Sequence, residues 1–158
     1  MKKLSAIIIL ILTATAGSAQ RYKDVFPRIA QASDEEALAL IKGYLVNDLD
    51  HPNCNLRLAL IYENRYKTSN PITEYERAMA NANEAKIRFT KSAAVVNEKE
   101  VRKNPGYYGS FSSGLDSKGR PIIEYTTINH KIIQGYDSAK TFTEKLPFIY
   151  NYFTKSVD

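Results

Sequence analysis

The sequence predicts an all-α protein: two helical hairpins, then a loop rich in glycine, serine and tyrosine, then a C-terminal helix. Three observations support that expectation. Apolar residues recur at intervals of three and four through residues 22–97, and again from Tyr125 to Leu146. The periodic stretches are parted by "NDLDHPN" and "TSNP", whose Asn, Asp and Pro content favours turns. Helix-start signals precede two of them, in "SDEE" and "NP".

The N-terminus is expected to be a cleaved secretory signal peptide, residues 1–19. Met1-Lys2-Lys3 is basic, Leu4 to Leu12 is apolar, and Gly17-Ser18-Ala19 supplies the small residues before a cleavage site. Ala14-Thr15-Ala16 offers a second acceptable site. The apolar run is too short to span a bilayer. A lipoprotein needs a cysteine at the cleavage site, and the one cysteine is Cys54. The expected product is periplasmic or secreted, is not a lipoprotein, and has no stable membrane insertion after cleavage. It comprises a single helical domain over residues 20–158. Losing Lys2 and Lys3 lowers the formal net charge from +5 to +3 and leaves no dense Lys/Arg block. Nucleic acid is therefore not an expected partner, because phosphate neutralisation needs a clustered basic face. One cysteine also excludes an internal disulfide and favours a buried thiol.

Within the domain, "RYKDVFPRIAQAS" places Tyr22, Val25, Phe26 and Ile29 at helical spacing, with Pro27 in or near the first turn. In the second helix Ser33 and Glu36 form a capping box ahead of an apolar face of Ala37, Leu40, Ile41, Tyr44 and Leu45. "NLRLALIYENRYK" gives a third helix whose Leu56, Leu58, Ala59, Ile61 and Tyr62 make a broad apolar surface. The fourth is expected to begin at Pro71, capped by Asn70. Its apolar series runs Ile72, Tyr75, Met79, Ala82, Ala85, Phe89, Ala93 and Val96. Ala78, Ala82 and Ala85 form a strip of small side chains along that face, where the third helix is expected to cross.

Residues 22–97 resemble degenerate tetratricopeptide repeats, as found in secreted bacterial envelope proteins. The resemblance rests on "EEALALIKGYL", on Leu58-Ala59-Leu60-Ile61-Tyr62 as the Leu-small-x-x-Tyr pattern, and on "YERAMANANEAK". Ala37 and Ala78 stand farther apart than the family's repeat of about 34 residues. The resemblance implies a protein-interaction scaffold without catalytic residues.

Residues 104–121 read as a loop from their glycine, proline and serine content. "DSKG" offers a tight turn, so a hairpin over Phe111 to Tyr125 remains open, with Ile122 and Ile123 in its second strand. The C-terminal helical segment, 122–158, carries Tyr125, Ile128, Ile132, Tyr136, Ala139, Phe142 and Leu146 at helical spacing. Pro147 is expected to kink or restart it, leaving "PFIYNYF" as a short aromatic helix.

Recognisable chemistry is sparse. No phosphate loop, paired-cysteine site, HExxH pattern or G-x-S-x-G elbow occurs. Asp34-Glu35-Glu36 suits the positive end of a helix dipole, and Asp48 and Asp50 lie in a turn without the regular oxygen spacing of a calcium loop. His51 near Cys54 is half a metal pattern, and His130 is remote in sequence; no metal and no cofactor is expected. Eleven tyrosines and no tryptophan direct attention to interfaces, where tyrosine is enriched. Tyr107, Tyr108 and Phe111 lie outside any apolar periodicity and are the expected partner-binding residues. The expected function is a noncatalytic interaction or scaffold module whose partner is another envelope protein. The alternative is a small-ligand or glycan-binding protein, with a pocket lined by Tyr107, Tyr108 and His130.

Overall fold

The structure, a computed structural model, describes residues 21–155; the expected signal peptide lies outside the described residues. The chain is all-α. In order come α1 (Tyr22–Gln31), α2 (Asp34–Leu45), α3 (Pro52–Thr68), α4 (Tyr75–Val95), α5 (Glu98–Lys103) and a 3-10 helix (Pro105–Phe111). A small antiparallel ladder, β1 (Gly114–Leu115) with β2 (Pro121–Ile122), leads into α6 (Tyr125–Lys155). Helix α1 pairs with α2 and α3 with α4, while α6 lies along α4 and touches α3.

The capping box forms as the sequence predicts. Ser33 Oγ accepts from the Glu36 amide, and Glu36 Oε2 accepts from the Ser33 amide at 3.2 Å. Ala37, Ile41 and Leu45 are buried behind it. Pro27, expected near the first turn of α1, stands in the helix interior instead. It is exposed, on the side where a lost backbone hydrogen bond costs least. The helix begins early because Tyr22 is anchored: its ring is buried and its hydroxyl donates to Asn53 Oδ1.

Helix α4 begins at Tyr75 rather than Pro71. Asn70 caps, but it caps a separate turn: its Oδ1 accepts from the Ile72 and Thr73 amides at 2.9 and 3.1 Å. Glu74 returns a carboxylate to the Asn70 amide at 2.9 Å, and its own backbone (φ −124°, ψ 29°) breaks the helical run. The alanine strip is where the sequence places it, with Ala78, Ala82 and Ala85 all fully buried. Ala93 is exposed, and Ser92 takes the inward position with its hydroxyl donating to the Arg88 carbonyl.

Phe89 and Gly135 fix the crossing of α4 and α6. Gly135 is buried, and a Cβ there would stand 2.5 Å from both Cε atoms of the Phe89 ring. Glycine lets the two backbones close over that ring. Farther along, the Tyr75 and Tyr150 rings meet at 4.3 Å, so the two helices run antiparallel. Pro147 does not restart α6, which is one continuous helix to Lys155. Leu146, just before the proline, is buried, and its packing holds the helix together across the missing amide.

The open choice over residues 111–125 resolves as a short hairpin after the 3-10 helix. Asp116 closes its turn, accepting from the Lys118 and Arg120 amides, and Gly119 takes the left-handed φ of +73° that the turn demands.

Candidate functional site

The Tyr107-Tyr108 expectation needs correction. Tyr108 is fully buried, its hydroxyl 3.4 Å from Glu100 Oε1, and burial pushes its phenol well above the usual range. Tyr107 is partly buried, edge-on to Tyr22 at 4.9 Å and near Phe26 at 4.8 Å. Phe111 also packs partly against the core. The cause is the 3-10 segment, held inward where the Asn53 amide donates to the Tyr107 carbonyl at 2.8 Å. The core takes Tyr108, while Tyr107 and Phe111 stay part-exposed at its edge, and His130 stands exposed on α6.

Asn53 joins three parts of the chain, accepting from Tyr22 and from Arg57 Nε while donating to Tyr107. Two residues on, buried Asn55 donates to the Leu49 and His51 carbonyls and accepts from Arg88. His51 caps α3, its Nδ1 accepting from the Cys54 amide at 3.3 Å, and its ring lies 4.0 Å from that of Tyr22. Burial holds this imidazole below its ordinary pKa, which matches the acceptor role of Nδ1. Cys54 is buried and burial pushes its thiol up to about 12, so it is protonated rather than poised as a nucleophile. Among the described residues no group of three or more His, Cys, Asp or Glu could hold a metal. This cluster joins helices.

Glu63 is also buried. Burial opposes its charge, but Lys131 on α6 (2.8 Å) and Lys67 (2.6 Å) outweigh that and hold its carboxyl below the ordinary range. The ion triad ties α3 to α6.

The surface that remains unexplained lies at the far end of α6. A groove of about 540 Å³ runs between the end of α3, Pro71 and α6, lined by Tyr66, Pro71, Phe142, Leu146 and Ile149. One wall is packed: Tyr66 is buried, its hydroxyl shares a 2.8 Å hydrogen bond with Ser138, and its ring meets Phe142 at 4.7 Å. The row Phe142, Leu146, Ile149 and Phe153, spaced by four and three, carries the apolar face of α6 past the bundle. Phe148 and Tyr152 form the adjacent row. Phe148 is 77% exposed, Tyr152 71% and Phe153 50%.

Tyr152 and Phe153 are exposed because they lie beyond the start of α4, whereas Phe148, two residues after buried Leu146, lies on the side of α6 turned away from the core. The 31 residues of α6 span about 46 Å and the 21 of α4 about 31 Å, so α6 outruns its neighbour. The Tyr75–Tyr150 contact marks where α4 begins, and the turns beyond it project. At about 200 Å² per ring, the three aromatics expose roughly 400 Å², within the range where the largest patch on a protein is often functional. Such a surface offers apolar area and shape. In sequence, "PFIYNYF" reads as a short aromatic helix, and its spacing alone does not separate a core face from an exposed one.

A second concavity, about 610 Å³, lies between α5, β2 and the start of α6 and is lined in part by Glu98, Arg102, Glu124 and Tyr125. Among the described residues, no helix is long and apolar enough to cross a membrane. No protein-family model matches the chain, and neither a curated protein nor a solved structure similar to it was found.

Proposed function

We propose that this protein is a noncatalytic interaction module of the bacterial cell envelope that binds a polypeptide partner through the projecting end of α6. The observation carrying this reading is the exposure of Phe148, Tyr152 and Phe153 on a single helix, beside an apolar groove whose walls are already packed. Large apolar side chains on a rigid element lose little conformational freedom on binding, and aromatic anchors of this kind dominate interface energetics. The placement in the envelope rests on the tripartite N-terminus, and the scaffold role on the tetratricopeptide-like residues of the two hairpins. Membrane-free envelope extract passed over the immobilised protein tests the reading. A partner should be retained by the parent and lost with Phe148→Ser plus Phe153→Ser, while the helical signal of that variant stays unchanged. Equal retention by both would refute it.

The concavity between α5, β2 and α6 favours a second reading, a small polar ligand or glycan bound near Arg102 and Glu124. A sugar that raises the melting temperature of the parent, but not of Arg102→Ala, would support that alternative.

A further inference from the structure

We infer that the partner seated at the end of α6 is a second copy of this chain, paired about a two-fold axis. The inference rests on the interaction reading above and names its occupant.

An isologous interface requires one surface to carry both a projection and the recess that receives it. The end of α6 carries both, side by side. Phe148, Tyr152 and Phe153 project, and the groove of about 540 Å³ beside them is lined by Tyr66, Phe142 and Ile149. Ile149 belongs to both features, lining the groove and standing one helical turn before Phe153. A two-fold rotation near Ile149 would therefore seat the aromatic rings of each copy in the recess of the other. Of the row Phe142, Leu146, Ile149 and Phe153, Leu146 is buried within the chain, and Ile149 and Phe153 are the exposed members available to a second copy.

The area agrees. Three rings exposing roughly 400 Å² per copy give about 800 Å² from the two copies, at about 200 Å² a ring. The groove walls they cover take the total past the roughly 1,000 Å² that a specific interface needs. A total near that threshold fits a dimer that dissociates in the micromolar range rather than an obligate one.

Sedimentation equilibrium of the purified protein, over about 1 to 200 µM, tests this. The expected result is a weight-average mass that rises from one chain towards two. Phe148→Ser with Phe153→Ser should weaken the association about 30-fold or more, the loss expected for a removed interface anchor. Both side chains are exposed, so circular dichroism at the dilute end should match the parent. A parent that stays one chain at every concentration overturns the second copy as occupant. The polypeptide-binding reading would then stand or fall on its own retention experiment. A dimer that survives the double substitution overturns the proposed interface.

Discussion

Gly135→Ala reports directly on how α4 and α6 meet. On an exposed helix the change would be favourable by about 1 kcal/mol, because glycine is the poorer helix former. In this protein the new methyl would fall 2.5 Å from both Cε atoms of Phe89, a ring that is itself fully buried. Ring and methyl cannot both stay, so the ring must leave its rotamer or the helices must part. Overpacking of that kind costs about 1–3 kcal/mol. Set against the propensity gain, the net expectation is a loss of up to about 2 kcal/mol, or up to about 8 °C in melting temperature for a domain near 150 residues. Urea unfolding of four proteins measures it: the parent, Gly135→Ala, Phe89→Leu and the double variant. Phe89→Leu removes the obstructing ring, so in that background Gly135→Ala should become neutral or stabilising. The change of sign is the diagnostic. A Gly135→Ala variant more stable than the parent would show that the helices do not meet at this glycine.

Four further outcomes are expected. Ala82→Leu, at a fully buried site on α4, should cost about 1–3 kcal/mol in denaturant unfolding. Tyr108→Ala should cost about 3–5 kcal/mol, as for other large buried rings, whereas a ring serving only a partner would leave the urea midpoint unmoved. Glu63 has a depressed pKa in the folded state, so its stabilisation is present above the ordinary glutamate range and is lost as pH falls through the folded value. Glu63→Gln should flatten that acid limb of the stability–pH curve and cost about 1–3 kcal/mol at neutral pH. His51 is also depressed, so the unfolded chain takes up a proton first; stability should fall as pH drops from about 6.5 towards the lower folded value. His51→Asn keeps a capping side chain and should remove that slope.

Much of the helical scaffold was legible because it depends on local signals. Ser33 and Glu36 announce the start of α2, and the three- and four-residue spacing of Ala78, Ala82 and Ala85 marks the buried strip of α4. The misreadings share a cause: long-range contacts that overrode a local rule. Pro147 is a candidate restart point for α6, but the helix runs through it beside buried Leu146. Tyr107 and Tyr108 lack helical periodicity because they lie on a 3-10 helix, and the side chain of Asn53, 54 positions earlier, draws that segment inward. Asn53 reads as a turn residue and Asn55 as the polar start of a helix, yet each is buried and bonded to distant parts of the chain. The projecting surface was hardest to see. Phe153 follows the same apolar spacing as the core and is exposed because α6 runs beyond the start of α4, while Phe148 and Tyr152 stand in the row beside it.

Site-specific photocross-linking in the producing cell tests the binding surface most directly. A photoreactive residue at Phe148, 77% exposed at the end of α6, is compared with one at Val46, 78% exposed in the loop after α2. Exposure and apolar character are thereby matched, and only location differs. If the end of α6 is the interface, Phe148 should yield a discrete polypeptide adduct, at twice the chain mass for a second copy, and Val46 should yield none. No adduct from Phe148, or the same adduct from both positions, would contradict it.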